Sequence, residues 1–275
     1  MSIQEIPLDR WSDLKDHMQR LTPVPGNPNR QWLFRGLANT HWDLRTTLER
    51  SDFTQISLQQ YYTKIWAIKP EIENRFGKRW ELSLSTDDFE ERMRRGVELS
   101  ATPDMVLNNV PGIYEYLVYL RHHRFPSPLL DWTTDPFVAS FFAFDEIAPC
   151  KPDGICVYAI LPRAGQSSNP AERLFCLVGP RMKAHERHDR QKCWYTYCVG
   201  LDASYDTWMF LRHERVLTAV DDGPLYSDVI KFTLPARERW AVLTDLASMN
   251  VNRYSLFGSE DSLIGTLARQ QFGIS

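Results

Sequence analysis

The chain has 275 residues, 43% of them hydrophobic, nine tryptophans and a net charge of −3. That content is ample for a buried core, and the charge gives no global field to draw the protein onto nucleic acid or an anionic membrane. The longest apolar run, Phe137 to Phe144, is interrupted by Ser140 and is far too short to span a bilayer.

In chain order, residues 8–20 place Trp11, Leu14 and Met18 at helical spacing. Three prolines and a glycine over 23–28 mark a loop. Trp32 to Gly36 reads as a short strand. Leu58 to Phe76 reads as a helix, kinked or broken at Pro70. Asp87 to Thr102 reads as a second helix after the start signal Ser85-Thr86-Asp87-Asp88. Gly112 to Arg124 is a third, with Tyr116, Leu117 and Leu120 on one face. Pro136 opens a further helix, a position where its missing N–H would be unpaired anyway. The body of that helix, 137–144, is apolar nearly all round and is expected to be buried on all sides. Strands are expected at Gly154–Leu161, Leu174–Val178, Cys193–Val199 and Asp228–Leu234. Ala236 to Met249 reads as an amphipathic helix with Trp240, Leu243 and Leu246. A last helix covers Ser259 to Phe272 with Leu263, Ile264 and Leu267. Helices gather early and strands late, which indicates an α+β fold with a mixed or antiparallel central sheet, helices preceding and flanking it. The expected organisation is a single domain over 1–275 with a helical insert at about 52–110.

The five cysteines include no Cys-x-x-Cys pair. An odd count without that spacing fits buried free thiols in a reducing cytoplasm, with Cys193 and Cys198 as core residues. Residues 1–10 mix charge with apolar side chains and carry no signal-peptide core.

Two stretches carry chemistry. In the first, Phe34-Arg35-Gly36 closes an apolar run and is followed by Trp42 and Leu44. A strand ending in Arg-Gly sets a planar, bidentate cation beside bare backbone, which suits a phosphate or carboxylate that must come close. The second runs from Arg121-His122-His123-Arg124 through Leu129-Leu130-Asp131-Trp132-Thr133-Thr134 into Asp135-Pro136-Phe137. Asp131 reads either as a ligand-facing carboxylate, as an acceptor for backbone N–H groups ahead of the Pro136 helix, or as a partner of Arg35. Trp132 reads as a core aromatic or a stacking surface. His122 and His123 end a helix, where imidazole favours the dipole. A third stretch, Arg181 to Gln191, is basic. His185, Glu186 and His188 in it have metal-compatible spacing, but the surrounding cations oppose a divalent ion and no metal is expected.

Together these stretches resemble the FRG domain family, whose members show Phe/Tyr-Arg-Gly, then Trp and Leu, then a His-containing Leu-Leu-Asp-Trp-Thr-x-x-Pro, then an Arg-rich stretch with a Gln before an aromatic strand. The chain departs from the family with Arg121 in place of the usual Gln, Arg124 in place of Gly and Pro128 in place of Arg. A more distant resemblance links the order of these motifs to ADP-ribosyltransferases of the arginine–serine–glutamate type. It implies an ADP-ribosyltransferase-like fold and an NAD-dependent transfer of ADP-ribose to a macromolecular acceptor, protein or nucleic acid, in a bacterial toxin or phage-defence setting.

On that resemblance NAD is the substrate. Arg35, Gly36, His122, Trp132, Thr133 and Thr134 would hold it. Asp131, Glu186 or Gln191 would occupy the catalytic third-motif position, where those transferases carry a glutamate and this chain aligns neutral Gln191. The alternatives are a non-catalytic nucleotide- or partner-binding module, and a nuclease or phosphodiesterase built on Asp131 and the His pair.

Overall fold

The computed structural model describes residues 3–21, 31–51, 55–82, 85–98, 112–145, 153–162, 174–179, 186–202, 207–217 and 229–272. Its strands are β1 (Gln4–Pro7), β2 (Leu33–Leu37), β3 (Leu130–Thr133), β4 (Gly154–Ile160), β5 (Leu174–Val178), β6 (Cys193–Asp202), β7 (Thr207–Phe210) and β8 (Val229–Pro235). They form one sheet in the order β1-β8-β4-β2-β3-β6-β5, with β7 also paired to β6. The β1–β8 ladder is parallel and the others are antiparallel, so the sheet is mixed.

The helices are α1 (Trp11–Arg20), α2 (Leu58–Phe76), α3 (Thr86–Glu98), α4 (Ile113–His122), α5 (Pro136–Asp145), α6 (Glu186–Arg190), α7 (His213–Leu217), α8 (Arg239–Ser248), α9 (Arg253–Phe257) and α10 (Glu260–Phe272). The period-2 alternation of the strands divides the core between two faces. On one face, α1, α5 and α8 bury Trp11, Phe141, Phe144, Val242 and Leu246 against Phe34, Val157 and Phe232. Farther along the sheet, a second cluster joins Tyr61, Tyr62, Phe89 and Tyr116 of α2, α3 and α4 to Tyr195, Tyr197 and Trp208. The intervening strand residues Leu33, Leu37, Leu130, Trp132, Tyr158 and Ile160 point to the opposite face with Leu44 and Leu217.

Several expectations need correction. α2 runs through Pro70 without a break. Its buried residues lie before the proline, at Leu58, Tyr61, Tyr62 and Ile65, so the carbonyl that Pro70 cannot serve sits in the solvated half. The segment at 236 begins as a 3₁₀ turn, Ala236–Glu238, before α8. Trp240 is 54% exposed rather than on the buried face, and Ile264 (59%) and Leu267 (43%) also point outward. α5 is buried almost all round, as its composition requires; Phe137 and Phe142 are half-buried. Residues 99–102, the end of the expected second helix, and Cys150 lie outside the described residues. The other four cysteines are buried and form no disulfide among the described residues.

Candidate functional site

A cleft of about 700 Å³ opens where β2 and β3 part. These neighbours share a single register pair, Phe34 with Thr133. By contrast β2 pairs with β4 over five positions and β3 with β6 over four. Side chains from the helix-covered face and from the opposite face therefore meet in the gap. Arg35 comes from β2, Asp131, Trp132 and Thr133 from β3, and Arg121 and His122 from the end of α4. That helix ends because Arg124 takes φ +64°, while the Phe125 N–H bonds back to the Leu120 carbonyl at 3.0 Å. A glycine would adopt this left-handed backbone freely; at 124 an arginine holds it and faces the cleft. Arg45 and Arg50 add charge from the segment after β2, and Arg187 from α6. Six arginines thus line the cleft against two aspartates, Asp43 and Asp131.

Asp131 is gripped from two sides. Arg121 Nη2 donates to its Oδ2 at 2.5 Å, and Arg35 Nη1 lies 3.8 Å from the same oxygen while donating to the Asp131 main-chain carbonyl at 2.7 Å. Burial pushes the carboxyl pKa up, but the charges of Arg121, Arg35 and His122 and the Arg121 hydrogen bond outweigh it and hold Asp131 below the usual carboxylate range. It is an acceptor at neutral pH and carries no proton for general acid work. Residue 36 is glycine for a packing reason as well. A Cβ there would fall 1.9 Å from the Ala139 carbonyl oxygen of α5.

Behind the lining, the Tyr195 hydroxyl stands 3.2 Å from His122 Nε2 and 3.3 Å from His188 Nδ1. A single O–H donates to one ring and accepts from the other, so the two imidazoles are coupled. Burial raises the Tyr195 pKa well above its ordinary value, which keeps it protonated. On the opposite face Trp132 Nε1 donates to Thr196 Oγ1 at 2.9 Å, Thr196 Oγ1 lies 3.0 Å from His213 Nε2, and His213 Nδ1 lies 2.7 Å from Glu49 Oε1. The order hydroxyl–imidazole–carboxylate looks like an activated nucleophile. However, Thr196 is fully buried and outside the cleft, so the chain of bonds locks the Trp132 ring as a wall.

Residues 30–151 match the FRG domain. No curated protein and no solved structure matches the chain. The FRG match contains Arg35, Arg121, His122 and Asp131, but the cleft is completed from beyond it by Arg187, Gln191, Cys193 and Phe257. Arg187 and Gln191 are held against α9. The Arg187 guanidinium lies 5.4 Å from the Phe257 ring centre, and Gln191 Nε2 donates to the Leu256 carbonyl at 3.2 Å.

Of the residues the sequence singled out, Arg35, Gly36, His122, Asp131, Trp132, Thr133 and Gln191 line the cleft together. Thr133 Oγ1 accepts from the Asp135 N–H at 3.1 Å, which turns the chain into α5. Thr134 is not among the lining residues; its N–H donates to the Lys192 carbonyl at 3.3 Å. Glu186 also lies outside the lining, 82% exposed and paired to Arg190. The His123 ring lies 4.3 Å from the Tyr119 ring, tilted by 45°, and its residue is exposed at the α4 end. The α5 cap is Asp135, whose Oδ1 accepts from Phe137 N at 2.9 Å, and Asp131 instead pairs with the arginines. His185 lies outside the described residues. Among those described, no group of three His, Cys, Asp or Glu is placed to hold a metal, and no helix is long and apolar enough to cross a membrane.

Sequence reading missed Arg45, Arg50, Phe142 and Phe257. The first two left a signal, as three arginines within residues 35–50 crowd the stretch after the strand. Phe257 left none, because its place depends on α9 packing against α6.

Proposed function

We propose that the cleft binds a phosphate-bearing nucleotide, with NAD as the leading candidate. The observation that supports this is the lining, six arginines from separate elements around about 700 Å³. Guanidinium forks match phosphate oxygens, and small-molecule sites commonly span roughly 300–1,000 Å³. Trp42, Phe142 and Phe257 add ring surface for a base. Arg35 would clamp the pyrophosphate. Calorimetric titration with NAD, ADP-ribose and inorganic pyrophosphate tests the reading. Binding should weaken with added salt. Arg35→Lys keeps the charge but loses the fork, and should lower affinity about tenfold to a hundredfold, in line with a charge-assisted bond of roughly 1.5–3 kcal/mol. Equal affinity of the two proteins removes Arg35 from the clamp, and a wild type that binds none of the three overturns the reading.

A second reading, transfer of ADP-ribose from NAD to a protein or nucleic acid acceptor, is favoured by Asp131. An ionised carboxylate in the cleft wall would hold a ribose hydroxyl while oxocarbenium-like charge develops on the sugar. The exposed position of Glu186, the neutrality of Gln191 and the pairing of Asp43 with Arg45 favour Asp131 as the carboxylate for that step. Labelled NAD incubated with protein and cell lysate, followed by mass analysis of the protein and nucleic acid fractions, tests it. Label transfer by wild type and its loss in Asp131→Asn is expected. Nucleotide binding without transfer would leave a non-catalytic binding module.

A further inference from the structure

We infer that Asp131 is the specificity-determining residue of the cleft: it disfavours a bare phosphate chain and selects phosphorylated ligands that also bring a hydroxyl or N–H donor. The inference rests on the phosphate-binding reading above.

Six arginines alone would take up any polyanion of the right size. Asp131 places a fixed negative charge in the same wall, between Arg35 and Arg121, with a third of its side chain exposed. The other aspartate of the lining, Asp43, is occupied by Arg45 at 2.7 Å. A phosphate entering the arginine lining meets Asp131 at short range, where repulsion is strong in a partly desolvated gap.

The geometry of the pairing leaves hydrogen-bonding capacity on both sides. Arg121 reaches Asp131 through Nη2 alone, and its enclosed Nε has no hydrogen-bond partner among the described residues. That pairing is end-on rather than a two-pronged fork, so the guanidinium keeps a donor edge for a ligand oxygen. Both arginines also address the same carboxylate oxygen, Oδ2, while Oδ1 has no donor among the described residues. A carboxylate offers about four lone-pair directions. The 3.8 Å approach of Arg35 is too long for a hydrogen bond, so Oδ2 keeps a lone pair beyond its bond to Arg121. Held ionised, Asp131 cannot donate to a phosphate oxygen, but it forms a charge-assisted bond with a hydroxyl. The same side chain thus penalises pyrophosphate and rewards a phosphorylated sugar. Sites built around a buried acceptor discriminate strongly against analogues that lack the donor.

Binding of inorganic pyrophosphate and of ADP-ribose to the full chain, wild type and Asp131→Asn, tests the inference. The amide removes the charge and adds an N–H₂ donor, so pyrophosphate should bind tighter while ADP-ribose stays equal or weakens. The ratio of the two dissociation constants should move by about tenfold or more, the size of a charge-assisted bond. If Asp131 does no more than hold Arg35 and Arg121 in place, both ligands change alike, and that result overturns the inference while leaving phosphate binding intact. Wild type alone supplies a second test that needs no folded variant. Glycerol 3-phosphate and propyl phosphate share charge and carbon count, and the first should bind about tenfold tighter. Equal binding of the two overturns the selection. Absence of binding by every probe overturns the phosphate-binding reading and this one with it.

Discussion

Gly36→Ala is the sharpest test of how the cleft is built. An added Cβ would lie 1.9 Å from the Ala139 carbonyl oxygen, 2.7 Å from the Ala143 nitrogen and 2.9 Å from the Ala143 Cβ. Carbon pairs rest at about 3.5–4.0 Å, so even the longest of these contacts is short by more than half an ångström. Two of the three are backbone atoms of α5, which cannot turn aside as a side chain can. Relief requires β2 and α5 to separate by about 1 Å, opening the buried contacts of Phe34 with that helix. Overpacking typically costs about 1–3 kcal/mol and occasionally more. With backbone on both sides the upper end applies, about 3 kcal/mol. In a chain of this size that lowers Tm by roughly 6–12 °C. Urea and thermal unfolding followed by circular dichroism measure it. Arg35 and Gly36 share a strand, so pyrophosphate binding should fall as well. A variant within about 0.5 kcal/mol of wild type, the range of a neutral surface change, would refute the argument that this glycine exists to seat α5.

Three further outcomes are expected. Because the folded pKa of Asp131 lies below its unfolded value of about 3.9, its contribution to stability is present above that pH and is lost as pH falls through the folded value. Wild type should therefore lose more stability than Asp131→Asn in urea titrations taken below about pH 4, and parallel curves would contradict this. Asp145 has an 8% exposed side chain that receives Arg253 at 2.8 Å and Arg269 at 2.9 Å. Asp145→Asn should destabilise by about 2–3 kcal/mol, less than a fully buried pair because both arginines keep some solvent; an unchanged urea midpoint would show the clamp to be idle. Gln191→Glu replaces the donor to the Leu256 carbonyl with a repelling oxygen and should cost about 1–3 kcal/mol by thermal unfolding, whereas equal stability would mean that the amide does not hold α9.

The long elements were legible because their signals are local. The 58–76 helix has a Ser57 cap whose hydroxyl accepts from the Gln60 N–H, and 154–160 is a run of strand-forming apolar residues buried on both faces. β1 was not legible. It is four residues long, mostly exposed, and exists through parallel pairing with β8 more than two hundred positions away. β3 was read as a motif rather than a strand, since Leu130 to Thr133 is too short for period-2 evidence. Trp240 and Ile264 fit an apolar stripe in the sequence, yet face outward, because a stripe shows which residues share a face and not which face meets the core. The meeting of Arg35 with Asp131 could be guessed from the motifs. That Arg121 competes for the same oxygen could not, since it depends on where α4 stops.

The one-pair seam between β2 and β3 has a mechanical consequence. Each side of it is a well-laddered half-sheet under its own helices, so rigidity is concentrated in two blocks and compliance in the line between them. The arginine of one block and the aspartate of the other already cross that line. A molecule lodged there would add its own bonds to both blocks and act as a rivet. Amide protons along Phe34 and Thr133 would then exchange more slowly on saturation, and the melting temperature would climb with ligand concentration even though no residue of the core had changed its neighbours.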